Sequence, residues 1–175
     1  MPIVIPAGCY VDDQLNTTMI KAADDLYLKI RSYNASVDGD KFRRAFDFGM
    51  LSHEGQMRAS GEPYFSHPIA VANILADMRL DLDTVITALL HDTVEDCNVS
   101  LDELQNLFGA SVAQLVDGVT KLSRIGIQSS PNSLQAENFR KLLLAMSEDV
   151  RVLLVKLADR THNMPTINYI AKDEK

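Results

Sequence analysis

The chain has 175 residues, 46% of them hydrophobic and 23% charged, a size and composition at which one folded domain buries a sizeable core. A formal net charge of −7, with no basic stripe interleaved with aromatics, argues against tracking along a nucleic-acid backbone. No run approaches the roughly 18 uninterrupted apolar residues of a membrane span, so no membrane partner is expected.

Residues Met1 to Gly8 have neither a basic flank nor a hydrophobic stretch leading to a cleavage site, which predicts no signal peptide and a cytoplasmic location. Cys9 and Cys97 lie far apart without CxxC spacing and read as free thiols. Apolar residues then recur at helical spacing: Ile20, Ala23, Tyr27 and Ile30; Phe42, Ala45, Phe46 and Met50; Val112, Leu115, Val116, Val119 and Leu122. Pro68 is placed to open a helix, and Ser100 with Glu103 forms a capping box whose short helix Gly109 ends. Asp149 stands as the cap before Val150. These signals predict an all-α fold, a bundle of about eight helices near 17–34, 40–55, 67–79, 83–95, 100–108, 110–122, 135–147 and 149–163. Sustained strand alternation is absent, and the Ser-rich segment 123–133 is expected to be a loop with the potential to act as a lid.

The chemistry concentrates where polar residues interrupt apolar runs. His91 and Asp92 follow the run Val85 to Leu90, so a strongly polar pair is carried at the core-facing end of a helix, where burial demands partners. Glu95 and Asp96 lie within four positions of that pair, so helical spacing gathers three carboxylates and an imidazole at one end. Asp159 interrupts the run Val150 to Ala158 in the same way and is either a distant closing ligand or part of a solvated turn. Imidazole together with carboxylate suits a borderline divalent ion such as Mn, Fe, Co, Ni or Zn. Of the four histidines, His53 and His162 read as hydrogen-bonded helix residues rather than ligands.

Three strings occur in order: Gly61-Glu62-Pro63-Tyr64-Phe65-Ser66-His67-Pro68, His91-Asp92-Thr93-Val94-Glu95-Asp96, and Leu157-Ala158-Asp159-Arg160-Thr161-His162-Asn163-Met164. Together with Gly118 to Leu122 and Glu137 to Lys141, they resemble the hydrolase (HD) domain of the Rel/Spo family of alarmone (ppGpp) synthetase/hydrolases, over about 42–166. The resemblance implies a single HD-type domain whose metal ligands are His67, His91, Asp92 and Asp159, with Mn²⁺ as the cofactor. It implies Glu95 and Asp96 as the acidic pair that orients or deprotonates the attacking water. Arg58, Ser60, Asn163 and Thr166 match positions that contact the nucleotide. The implied activity is hydrolysis of the 3′-diphosphate of guanosine tetra- or pentaphosphate to GDP or GTP and pyrophosphate, without synthetase activity.

This sequence departs from the family pattern at Ala59, where a basic residue is usual, and at Thr161 and Pro165, where leucine and arginine are usual. The chain also ends about ten residues after the last motif, where the resemblance implies further helices. An apolar face left by their absence is expected to favour a homodimer. Two other functions stay open on the sequence: an alarmone-binding or interaction module impaired in turnover, and an HD phosphohydrolase acting on another nucleotide.

Overall fold

The computed structural model describes residues 13–125 and 149–164. They form eight helical segments: α1 (Asp13–Tyr33), α2 (Gly39–Ser52), α3 (Ser66–Asp77), α4 (Leu82–Leu90), the single turn α5 (Thr93–Asp96), α6 (Leu101–Phe108), α7 (Ala110–Ile125) and α8 (Val150–Asn163). Among the described residues the extended structure is one isolated bridge between Met57 and Pro63, so the fold is all-α as expected. The helix expected at 135–147 lies outside the described residues.

The core is built around α4, whose residues Thr84 to Leu90 are all buried. It packs against α2, α3, α7 and α8. A helix buried on every side cannot leave polar groups unmatched, and its threonines meet that demand locally. Thr84 Oγ1 donates to Asp81 Oδ2 at 2.7 Å, and Thr87 Oγ1 donates to the Asp83 carbonyl at 2.7 Å. On α1 the buried face runs through Met19, Ala23, Leu26 and Ile30, whereas Ile20 is 43% exposed, so the apolar stripe lies one position away from the expected one at its start.

The expected caps form. Ser100 accepts from the Glu103 N–H, Asp149 from the Arg151 N–H, and Gly109 ends α6 at φ +94°, a conformation that glycine adopts without steric cost. Two expectations fail. The helix predicted over 83–95 breaks after Leu90, because side chains capture carbonyls that backbone N–H groups four residues later would otherwise use. His91 Nδ1 donates to Ala88 O and Thr93 Oγ1 to Leu90 O, each at 2.7 Å. The chain turns at His91 and Asp92 and restarts as α5. The loop predicted from Ser123 begins instead as the last turn of α7, which runs to Ile125; Ser123 Oγ back-bonds to Val119 O.

Helices α4 and α8 run side by side in register. Their N-caps, Asp81 and Asp149, share one guanidinium: Arg151 Nη2 lies 2.6 Å from Asp149 Oδ2, and its Nη1 lies 3.2 Å from Asp81 Oδ1. Ten positions later, roughly 15 Å along each helix at 1.5 Å per residue, come His91 and Asp159. Both capping carboxyls are held below the ordinary range, Asp149 chiefly by Arg151. At Asp81, bonds from Thr84 and the charge of Arg151 outweigh the opposing effect of burial.

Two predictions follow from this packing. A Cβ on Gly49 would stand 2.6 Å from the Phe65 ring and 3.0 Å from the Leu89 carbonyl. Gly49→Ala is therefore expected to lose about 1–3 kcal/mol to overpacking, more than the roughly 1 kcal/mol that alanine contributes through helix propensity. Thermal unfolding checks this, and an unchanged midpoint would show that α2 can shift away from α4. Arg151→Met is expected to cost about 1 kcal/mol at neutral pH, since its hydrogen bonds are charge-assisted but partly exposed. A carboxylate with a depressed folded pKa stabilises above its unfolded value and loses that contribution as pH falls. The gap between wild type and Arg151→Met should therefore close below about pH 4 in denaturant titrations.

Candidate metal centre and nucleotide pocket

Three helices bring His67, His91 and Asp159 together. His67 is the second residue of α3, His91 follows the last residue of α4, and Asp159 lies in α8; all three are buried. One nitrogen or oxygen from each lies within 4.8 Å of the others. Two bonds of about 2.1 Å from a common ion span at most about 4.2 Å, and His67 Nε2 and Asp159 Oδ1, 3.2 Å apart, lie within that reach. Asp92 flanks the group, with Oδ1 3.1 Å from His91 Nε2 and Oδ2 3.9 Å from His67 Nε2.

The donor chemistry fits a divalent cation. His91 Nδ1 is committed to the Ala88 carbonyl, which leaves Nε2 as the atom with the lone pair. That Nε2 is buried and makes no hydrogen bond, even though Asp92 Oδ1 is near. An orphaned acceptor facing carboxylates is costly without a cation between them. His67 is oriented in a similar way. Its Nδ1 meets His162 Nδ1 at 2.9 Å, and its Nε2 points at Asp159 Oδ1, 3.2 Å away.

The charges of the cluster are mutually adjusted. Burial opposes protonation of His91, but Asp92 and Asp159 outweigh it and raise its pKa. Burial would raise the Asp92 carboxyl, yet His91, His67 and a bond from Tyr64 hold it down at about 2. Asp159 is pulled well below the ordinary carboxylate range against its burial, by His67 and by Lys156, whose Nζ lies 2.6 Å from Oδ2. His162 is lowered by burial and by the neighbouring His67 and Arg58, which favours the neutral ring that a single shared proton with His67 requires.

Glu95 and Asp96 sit on α5, exposed beside the buried group. Partial burial and repulsion from Asp92 raise the Glu95 carboxyl, while Lys156 and a hydrogen bond from Ser123 work the other way. Tyr64 Oη reaches Asp92 Oδ2 at 2.9 Å and Asp96 Oδ2 at 3.1 Å.

Of the residues expected to contact the nucleotide, Arg58 and Asn163 meet beside this centre. Arg58 opens a tight turn in which Gly61 N–H donates to Arg58 O at 2.8 Å, and Gly61 takes φ +83°. Arg58 Nη2 donates to Asn163 Oδ1 at 3.0 Å, and Asn163 Nδ2 donates to Asp159 Oδ1 at 2.7 Å. The Arg58 guanidinium is thus linked through one amide to the buried carboxylate. Ser60 lies exposed on the same turn, and Thr166 lies outside the described residues.

Sequence reasoning missed Lys156, Ser123 and the hydroxyl of Tyr64, and it gave His162 no part in the site. Lys156, His162 and Asn163 lie three or four positions from Asp159, so the helical neighbour rule carried a signal for all three. Ser123 carries none, because the Ser-rich pattern of 123–133 reads as a loop.

If the cluster holds a divalent ion, calorimetric titration of metal-stripped protein with Mn²⁺ should show one site per chain. His91→Ala and Asp159→Asn should abolish it, with Mn²⁺ raising the melting temperature of wild type and of neither variant. Equal binding by all three proteins would remove these residues from the site.

The HD domain family model matches residues 45–175. The guanosine-3′,5′-bis(diphosphate) 3′-pyrophosphohydrolase of Vibrio cholerae is 53% identical over 136 residues, covering 78% of this chain and 19% of that protein. The bifunctional (p)ppGpp synthase/hydrolase SpoT of Escherichia coli is 47% identical over 146 residues, 83% of this chain and 21% of that protein. The chain thus spans about a fifth of the length of the curated relatives it matches. A solved structure of a metazoan orthologue of SpoT, described as hydrolysing ppGpp and acting in starvation responses, superposes with a TM-score of 0.58 at 28% identity, over 77% of this chain and 74% of that one. With a family model matched over most of its length, and with relatives of the SpoT kind, this chain belongs to the HD domain family and has its homologues among the Rel/Spo proteins.

Proposed function

We propose that these residues hydrolyse the 3′-diphosphate of ppGpp and pppGpp, giving GDP or GTP and pyrophosphate, with Mn²⁺ as the metal and without synthesis of the alarmone. The observation that carries the reading is the meeting of His67, His91 and Asp159 from three helices around the unpartnered Nε2 of His91. The names of the relatives from Vibrio cholerae and Escherichia coli supply the substrate class.

His67, His91, Asp159 and Asp92 would hold the cation. When bound, such an ion supplies Lewis acidity towards water and towards diphosphate oxygens. The remaining work belongs to side chains. In the overall balance water adds across the bond between the 3′-oxygen and phosphorus; one proton of the water ends on the released 3′-hydroxyl. A carboxylate within one hydrogen bond of the water takes its proton, and Glu95, raised above its ordinary value, is the better matched base of the acidic pair. Asp96 orients the water from the other side of α5. Arg58, steered by Asn163, receives phosphate oxygens through parallel donors, and Ser60 and Thr166 complete the nucleotide contacts. The acidic surface gives no long-range attraction for so anionic a substrate, so local cations must bring it in.

Pyrophosphate release from ppGpp is expected with Mn²⁺ and not after chelation. Glu95→Gln should keep metal binding and lose about 10²–10⁴ in turnover, because an amide cannot accept the proton. Undiminished turnover by the glutamine variant would remove Glu95 from the mechanism. Absence of turnover by metal-loaded wild type, with nucleotide still bound, would favour an alarmone-binding module.

A further inference from the structure

Tyr64 stands in a motif string, but the reading so far gives it no role. Its surroundings are more constrained than packing alone requires. The backbone N–H of Tyr64 donates to Gln56 O at 2.9 Å, closing the loop that carries Arg58. Its ring stacks on the buried ring of His53, with centroids 4.7 Å apart and planes 23° from parallel. His53 is fixed in turn, with Nδ1 2.8 Å from Gln56 Oε1 and 3.3 Å from Cys97 Sγ. Cys97 follows Asp96 directly, so the platform beneath Tyr64 also touches the end of α5.

The hydroxyl therefore lands on a point set by its supports, between Asp92 Oδ2 at 2.9 Å and Asp96 Oδ2 at 3.1 Å. We propose that Tyr64 is a positioning residue: its single O–H, shared between the two carboxylates, holds Asp96 at a fixed place relative to the metal-ligand candidate Asp92. The inference rests on the reading that Asp96 acts beside the reacting water. Asp92 and Asp96 are like charges on adjoining turns, and repulsion favours their separation. Asp92 is also held by its approach to His91 and His67. Asp96 is exposed, and among the described residues the side-chain hydrogen bond it receives is the one from Tyr64. Loss of the hydroxyl therefore frees Asp96 more than Asp92. The effect falls on orientation of the water, with metal capture largely intact.

Tyr64→Phe deletes the hydroxyl and keeps the ring, so the stack on His53 and the fold survive, as an unchanged melting temperature would verify. Displacement of an orienting group by about 1 Å costs up to ~100-fold, so kcat at saturating Mn²⁺ should fall about 10- to 100-fold while KM and the Mn²⁺ affinity, measured by titration without substrate, stay within about threefold. If Tyr64 acts through Asp96, adding Tyr64→Phe to Asp96→Asn should cause no further loss. The proposal is overturned if Tyr64→Phe keeps wild-type kcat, if the two losses multiply in the double variant, or if excess Mn²⁺ restores the rate. An inactive wild-type protein under the same assay would overturn the functional reading itself, and this inference with it. An active wild type with an unaffected Tyr64→Phe overturns this inference alone.

Discussion

The site depends on an imidazole that cannot satisfy itself. His91 sits at the end of a helix buried on all sides, and its Nδ1 is already spent on the carbonyl of Ala88. The remaining nitrogen must present a lone pair into a space bounded by Asp92, Asp159 and the ring of His67, whose centroid is 5.5 Å away. In water such a nitrogen would take a hydrogen bond; here it makes none, and a cation between it and the carboxylates would give it a partner. The same bond from Nδ1 helps to end α4, so helix termination and ligand presentation are one event. Had α4 continued to Glu95, the acidic pair would have stayed on the rigid central helix instead of on a separate turn.

Much of this was legible because polar residues in apolar runs are expensive. His91 reads as core-facing from the apolar run before it, whereas for Asp159 the run leaves a closing ligand and a solvated turn both open; both residues are buried. The caps Ser100, Asp149 and Gly109 were equally plain, because each satisfies a local backbone need that does not depend on the rest of the fold. The phase of α1 was less so, with Met19 and not Ile20 turned inward. Both are apolar, and the choice between neighbours is made by the partner helix.

What stayed hidden depends on contacts between distant segments or on competition within one turn. The break after Leu90 turns on whether His91 and Thr93 bond backwards, which spacing does not reveal. His162 falls in a motif string and Lys156 just before it, but a lysine on a helix reads as solvated until Asp159 is known to face it at 2.6 Å. The meeting of His67 with His162 joins residues 95 positions apart, and it sets which nitrogen of His67 faces the cluster. Those second partners are what turn a list of ligand types into an oriented set.

The molecule separates what stabilises it from what it uses. At one end of α4 and α8, two carboxylate caps share the Arg151 guanidinium, and each is bonded to it. At the other end, Asp92, Asp159, Glu95 and Asp96 crowd two histidines, with Lys156 the cation nearest to Asp159. The two helices are equally long from cap to ligand, so register fixed at the satisfied end is delivered, about 15 Å away, to the unsatisfied one. A rigid helix transmits that register without needing favourable contacts at the far end. The acidic cluster can therefore be left short of positive charge, a balance that suits a dication, while the fold is held elsewhere. An ion pair placed among the ligands would have reversed this, stabilising the empty site and competing with the ion. Lys156 does this in part, since it pairs with Asp159 Oδ2 and leaves Oδ1 turned towards His67. The carboxylate is thus shared: Oδ2 is neutralised by Lys156, which makes its burial tolerable, and Oδ1 accepts from Asn163 while facing His67.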